Sequence, residues 1–124
     1  MVTPQLRALA TKAEGAGRLD ADCSGAQRVA SGRGEHPVCG DEVEVDLLLE
    51  GDRIVDLRWR AHGCPATYAV AASAHHALKG VAIAEAPSIL RQALAQLGDL
   101  SSTERHAEAM FCRAMAAARS KAGE

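Results

Sequence analysis

Aromatic residues are scarce in this chain, which has one tryptophan, one tyrosine and one phenylalanine among its 124 residues. Because 48% of the residues are apolar, the core has to be built mainly from leucine, isoleucine, valine and alanine. The length and the apolar share together predict one domain spanning residues 1–124, with a core that needs no covalent staples.

Several functional classes lack their usual sequence signals. No apolar run approaches the roughly 20 residues of a membrane span, and residues 1–17 lack the apolar core of a secretory signal. The net charge is −2, and the basic residues are scattered, unlike those of a nucleic-acid-binding face. Neither a phosphate-binding glycine loop nor a nucleophile elbow is present. We therefore expect a cytoplasmic protein that is not an enzyme and has no nucleic-acid or membrane partner.

The four cysteines indicate thiol chemistry in an intracellular chain. They are Cys23, Cys39, Cys64 and Cys112. Disulfides are rare in such compartments, so metal-binding, reactive or buried thiols are favoured over a disulfide framework.

A β-hairpin is the clearest local structure in the sequence. Apolar and polar residues alternate from Val43 to Leu49 and again from Val55 to Ala61, the period of a strand with one buried face. Glu50, Gly51 and Asp52 supply the turn. The polar residues of both strands predict an antiparallel sheet with one face in water.

Helices are predicted on both sides of this hairpin, over residues 4–14, 66–79, 82–97 and 103–120. Gly80 is a natural stop for the second helix, whereas Pro87 either kinks the third helix or marks its start. Ser101 and Glu104 have the spacing of a capping box. The segment from Leu19 to Pro37 is either flexible or contains a weak edge strand near residues 26–30. This order predicts an α+β fold, a small antiparallel sheet of about three strands covered on one face by helices.

The hairpin predicts that Cys39 and Cys64 lie side by side. Cys39 precedes the first strand and Cys64 follows the second, and the two open ends of a hairpin meet. Cys64 also precedes a helix, whose N-terminal dipole stabilises a thiolate. With Asp41 and His62 nearby, these groups would suit zinc or iron. The alternative is that each cysteine is a small buried hydrophobic residue.

Other cysteine and histidine residues are expected to have no ligand role. Cys23 reads as a thiol in the glycine-rich stretch, and His75 and His76 as surface residues late in a helix. His36 precedes Cys39 by three residues and could reach the site, but a loop residue is the favoured interpretation.

The motifs around this hairpin resemble the NifU/IscU-type iron–sulfur cluster assembly scaffold family. The resemblance rests on Cys39-Gly40-Asp41 before a strand, Gly63-Cys64 before an alanine-rich helix, and Leu78-Lys79-Gly80 at the end of that helix. It covers residues 17–80 well and the remainder loosely. It implies an α+β fold and a transient [2Fe–2S] cluster or iron bound by Cys39, Asp41 and Cys64. It also implies a cysteine desulfurase as sulfur donor and apo iron–sulfur proteins as recipients.

The third cysteine of the family has no clear counterpart in this chain. In one register His106 matches a family histidine and Ala107 stands where the cysteine would be. In the other register Cys112 matches the cysteine. The two candidates are six residues apart, about 9 Å along a helix, so they cannot both bind the same metal if the helix begins near Thr103. The capping pattern favours His106, and Cys112 then reads as a core thiol.

Three functional hypotheses follow. The first is a cluster assembly scaffold with Asp41 as a labile ligand. The second is a zinc-binding or regulatory relative without cluster transfer, in which Cys64 receives a persulfide. The third is an interaction module with no metal. A monomer or weak homo-oligomer is expected in each case.

Overall fold

A computed structural model describes residues 2–19, 27–36, 40–102 and 104–122. It contains helix α1 (Pro4–Lys12), strands β1 (Gln27–His36), β2 (Asp41–Glu50) and β3 (Arg53–His62), and helix α2 (Pro65–Ala77). A short 3-10 turn (Ile83–Glu85) precedes helices α3 (Ala86–Gln96) and α4 (Arg105–Ala122). This arrangement confirms the predicted α+β fold. Every helix in the described ranges is too short or too polar to cross a bilayer.

The three strands form one antiparallel sheet in the order β1-β2-β3. The hairpin prediction is confirmed, with Val45 opposite Trp59 in the register. Alternate β2 residues from Val43 to Leu49 are at most 2% exposed, and Trp59 is 1% exposed. The core thus lies between this sheet face and the helices, as the alternating pattern predicts for β2. In β3 the prediction fails at one position: a register irregularity opposite Leu48 and Leu49 buries Ile54 and leaves Val55 only half-buried.

β1 is longer than the sequence suggested. It pairs with β2 over ten residues, from Gln27 to His36, where only a weak edge strand near residues 26–30 was expected. Two of its glycines explain both its weak sequence signal and its place in the fold. A Cβ on Gly32 would lie 2.1 Å from the carbonyl oxygen of Ala114, and one on Gly34 would lie 2.2 Å from that of Met110. The missing side chains therefore let α4 pack directly on β1.

The helix ends follow their sequence signals with small shifts. Pro87 marks the start of α3, within its first turn, and the preceding residues form the separate 3-10 turn. Ser101 donates its backbone N–H and its hydroxyl to the Glu104 carboxylate, at 3.1 and 2.9 Å, just before α4 begins. Residue 103 lies outside the described ranges, so the predicted helix start there is not seen.

The prediction that His75 lies on the surface is wrong, whereas His76 is exposed as expected. The side chain of His75 is buried and its Nδ1 lies 2.7 Å from the carbonyl oxygen of Leu57. The segment after α1 covers it, because Gly15 packs against the His75 ring and pairs with Trp59 of β3. A buried imidazole can bond to a backbone carbonyl inside a core. The residues next to His75 in the sequence do not reveal that this carbonyl is its partner.

The second sheet face is polar but is not uniformly wet. Asp46, on this face, is only 5% exposed. Its carboxylate accepts hydrogen bonds from Arg60 at 3.1 Å, from the Ser31 hydroxyl at 2.8 Å and from the Leu19 backbone N–H at 3.1 Å. This network joins all three strands to the segment that follows α1.

Candidate metal centre

The open end of the β2–β3 hairpin carries the first two site residues. Asp41 is the first residue of β2 and is 6% exposed. Cys64 follows β3 and occupies the N-cap position of α2, with extended backbone angles (φ −75°, ψ 165°). Pro65 opens the helix at the position where its missing N–H costs nothing. The hairpin thus places the Asp41 carboxylate beside the Cys64 thiol.

Gly63 makes this close approach feasible. A Cβ at this position would lie 2.6 Å from Asp41 Cγ and 2.8 Å from Oδ1. Any side chain here would push the carboxylate out of its place between the hairpin end and α2. The glycine of the Gly63-Cys64 motif therefore has a packing role that its sequence position alone does not explain.

His106, in the first turn of α4, completes the group. Its Nε2 lies 3.3 Å from Asp41 Oδ2 and 4.0 Å from Cys64 Sγ. One donor atom from each of Asp41, Cys64 and His106 lies within 4.8 Å of the other two, a spacing that one metal ion can bridge. In the described part of the chain, these three residues form the one such group of cysteine, histidine and acidic side chains.

The start of α4 is held by an ion-pair network that begins on α3. Arg91 pairs with Glu108 at 2.9 Å and also contacts Asp99 in the loop before α4. Arg105 adds a second contact to Asp99 at 3.2 Å. Because Arg91 is partly buried, these pairs restrain the register of the first helical turn, which carries His106.

The Asp41 carboxyl group is held in its charged form. Burial by itself raises its pKa, but hydrogen bonds from Cys64, His106 and Thr67 outweigh that effect. The net result is a pKa below the ordinary value of an aspartate, so Asp41 is ionised at neutral pH. An ionised carboxylate is a hard oxygen ligand, and it is paired here with a soft sulfur and an imidazole nitrogen.

The structure does not bring Cys112 to this group. Cys112 lies on the next part of α4 and lines a shallow cavity of about 130 Å³ together with Ile83, Pro87 and Met115. Burial raises the pKa of its thiol, and the negative charge of Glu108 adds to this effect. A protonated, half-buried thiol fits the prediction that Cys112 is a core residue.

The remaining candidates are placed as follows. Cys23 and Cys39 lie outside the described residues. His62 is exposed at the end of β3 and is not part of the three-residue group. His36 ends β1, opposite Asp41 in the register, and its ring centroid lies 4.7 Å from that of His106. The prediction of a loop residue is therefore wrong, and His36 borders the site through this ring contact.

Sequence reasoning missed Thr67, a buried polar residue of the site. Its hydroxyl donates to Asp41 Oδ2 at 3.3 Å, and Thr67 is 2% exposed. The available signal was a threonine three residues after Cys64, at the N3 position of α2.

The site is reached from one side through a cavity of about 330 Å³. Cys64 and His106 form part of its wall, together with Val2, Arg7, Pro65, Ala66 and Glu104. Cys64 itself is partly exposed.

Comparisons with known proteins agree with this fold. The model of the NifU-like N terminal domain matches residues 13–122. Two Archaeoglobus fulgidus proteins, iron–sulfur cluster assembly scaffold proteins IscU 1 and IscU 2, are each 36% identical over 72 residues, 57% of this chain and 47% of theirs. The nitrogen fixation protein NifU of Nostoc sp. is 30% identical over 94 residues, 73% of this chain and 31% of its own. The matches thus span less than half the length of these curated relatives.

Solved structures share the fold at low sequence identity. The N-terminal part of a NifU-like protein from Brucella abortus has a TM-score of 0.58 at 17% identity, covering 90% of this chain and 74% of that one. A crystal structure named for SUF-system iron–sulfur cluster assembly, from Fervidobacterium islandicum AW-1, has a TM-score of 0.61 at 20% identity, with coverage of 86% and 78%. Since the family model covers most of the chain and the fold agrees with it, the protein belongs to the NifU-like N-terminal domain family.

Proposed function

We propose that this protein is an assembly scaffold that binds iron and builds a transient [2Fe–2S] cluster for transfer to apo-proteins. The observation that carries the proposal is the convergence of Asp41, Cys64 and His106, whose donor atoms lie within 4.8 Å of one another. Cys39, two residues before Asp41 in the sequence, is proposed as the fourth ligand. The family membership and the names of the curated relatives support this assignment.

The donor set suits a site that must both hold and release its cargo. Thiolate and imidazole ligands bind iron and zinc well, whereas a carboxylate is a weaker partner for a cluster iron. Asp41 is proposed as the labile ligand. When the cluster leaves, its carboxylate can again accept the hydrogen bonds from His106 and Thr67 that it accepts in the metal-free protein.

Sulfur is proposed to arrive from a cysteine desulfurase: the Cys64 thiolate attacks the outer sulfur of the enzyme's persulfide, becomes a persulfide itself, and releases the enzyme's cysteine as a thiolate. An external electron donor then supplies the two electrons that reduce each such sulfur to bridging sulfide and free the Cys64 thiolate. The Cys64 thiol lies on the wall of the open cavity, where another protein's side chain can reach it. Iron–sulfur apo-proteins are the proposed recipients of the finished cluster.

A second candidate function is a zinc-binding or regulatory role without cluster transfer. The observation that favours it is Ala107, which stands where the resemblance places a third cysteine and is 1% exposed in the core. Cysteine, histidine and aspartate together also form an ordinary tetrahedral zinc set. Under this alternative the protein stays colourless after incubation with iron and sulfide.

Anaerobic reconstitution with ferrous iron and sulfide separates the two functions. The scaffold proposal expects visible absorption from a cluster in the wild type and in Cys112→Ala, and its loss in Cys64→Ala. Incubation of the loaded protein with an apo-ferredoxin then tests transfer, followed by the spectrum of the repurified recipient. A cluster that survives in Cys64→Ala contradicts the assigned site, and a loaded protein that never passes its cluster on contradicts the scaffold role.

A further inference from the structure

The hydroxyl group of Thr67 lies between two of the proposed metal ligands. Its Oγ1 is 3.3 Å from Asp41 Oδ2, to which it donates, and 3.7 Å from Cys64 Sγ. Thr67 is 2% exposed and Asp41 is 6% exposed, so the hydrogen bond between them is shielded from bulk water. A hydroxyl has one proton to donate, and here that proton goes to the carboxylate.

The position of Thr67 in its helix explains this geometry. Cys64 is the N-cap of α2 and Thr67 is three residues later, where a capping-box side chain usually turns back to the N-cap backbone. Instead, the backbone N–H of Thr67 bonds to the Cys64 carbonyl at 3.0 Å, and the hydroxyl points across to β2. The first turn of α2 therefore supplies both a candidate ligand and a restraint on Asp41, the ligand from the neighbouring strand.

Asp41 Oδ2 has two side-chain hydrogen bonds at the same distance, 3.3 Å, one from Thr67 and one from His106 Nε2. If a metal binds Nε2, that nitrogen can no longer bond to the carboxylate. The Thr67 hydroxyl and the backbone N–H of Cys64 are then the donors that remain, and together they limit rotation of the carboxylate about its Cβ–Cγ bond.

We propose that Thr67 is a positioning residue of the metal site, whose hydroxyl holds the Asp41 carboxylate where it can share one ion with Cys64 and His106. This inference rests on the proposed function, because it needs a metal to bind there. Hydrogen-bond partners of metal ligands commonly change affinity by roughly 10- to 100-fold when removed.

Cobalt(II) titration of the metal-free chain tests this role. Thr67→Val removes the hydroxyl at nearly constant shape, and Thr67→Ser keeps it. Ser73→Ala is the matched control, since its hydroxyl is also buried in α2 but has no hydrogen-bond partner among the described residues. We expect Thr67→Val to bind cobalt roughly 10- to 100-fold more weakly, and Thr67→Ser and Ser73→Ala to bind like the wild type. The visible bands of bound cobalt should change in Thr67→Val alone, because they report the ligand geometry.

The possible outcomes test the role of Thr67 separately from the proposed metal binding. Equal affinity and equal spectra in Thr67→Val and the wild type would overturn the role of Thr67 and leave the metal site standing. A wild type that binds no cobalt would overturn both. Thermal unfolding of the metal-free variants checks that each is folded, and if Thr67→Val is not, Thr67→Ala takes its place and its affinity decides.

Discussion

His106 Nε2 lies 3.3 Å from Asp41 Oδ2, although the two residues are 65 positions apart in the chain. The contact joins the first turn of α4 to the first residue of β2. Helix α4, which packs across β1, thus places His106 next to Asp41 and Cys64, which the hairpin already brings together. The site therefore depends on where α4 begins and on how closely it approaches the sheet.

The first prediction concerns the choice between His106 and Cys112. We expect His106→Ala to lower the affinity for zinc by more than roughly tenfold, because it removes a nitrogen ligand and not merely its support. Cys112→Ala should leave the affinity unchanged, since Cys112 lies outside the three-residue group. Competition with a coloured chelator measures both. A loss in Cys112→Ala equal to that in His106→Ala would reverse the assignment.

The second prediction concerns the contact between β1 and α4. Gly34→Ala places a methyl group 2.2 Å from the Met110 carbonyl oxygen, which belongs to backbone and cannot simply rotate away. We expect a loss of about 1–3 kcal/mol in the free energy of unfolding, as for other overpacked sites. Metal affinity should fall as well, because His106 lies one helical turn before Met110.

Urea unfolding measures the stability of Gly34→Ala. Arg28→Ala, at an exposed position of the same strand, is the control and should change the free energy of unfolding by less than about 0.5 kcal/mol. Wild-type stability in Gly34→Ala would contradict the direct packing of α4 on β1.

The third prediction concerns the lability of the cluster. Asp41→Ala should lengthen the lifetime of a reconstituted cluster severalfold, because the proposed exit route begins with release of the carboxylate. The decay of visible absorption in the presence of a chelator gives the lifetime. Faster decay in Asp41→Ala would mean that the carboxylate stabilises the cluster and does not release it.

The fourth prediction concerns acid stability and the Asp46 network. Burial raises the pKa of Asp46, but hydrogen bonds from Arg60, Leu19 and Ser31 outweigh it and leave the pKa below the ordinary value. A depressed pKa means that the ionised carboxylate stabilises the folded state above the unfolded pKa of about 3.9. That contribution is lost as the pH falls from there toward the folded pKa.

Asp46→Asn isolates this effect. The substitution should lower the free energy of unfolding by about 1–3 kcal/mol at neutral pH, because it replaces a charged hydrogen-bond acceptor in a buried network with a neutral one. The loss should shrink as the pH falls below about 4, since the wild type then loses the same charge. Urea unfolding at a series of pH values measures it. A loss that stays constant from neutral pH to acid would contradict the role of the charge.

Local patterns in the sequence were sufficient to predict the hairpin and the helix that follows Cys64. The alternation in β2 and β3 is strong because one sheet face is buried, and Pro65 and Gly80 frame α2. From these elements alone, Cys39 and Cys64 were expected to lie side by side, with Asp41 next to Cys39. Asp41 does lie beside Cys64, whereas Cys39 lies outside the described residues. The family resemblance then indicated that these residues bind iron or an iron–sulfur cluster.

Features that depend on distant packing were harder to predict. β1 has a weak strand signal because Gly32 and Gly34 serve the contact with α4, which no local pattern reveals. His75 was misplaced because its partner is a backbone carbonyl of β3. The register of α4 was left open between two residues, and it depends on ion pairs of Arg91 that join three separate segments.

The most direct test of the proposed metal site is elemental analysis with a visible spectrum of anaerobically purified protein, for the wild type and Cys112→Ala in parallel. We predict iron and sulfide in both proteins, with the absorption of a cluster. Zinc alone would favour the regulatory relative, and iron lost only in Cys112→Ala would move the third ligand from His106 to Cys112. A wild type that contains no metal would contradict the site itself.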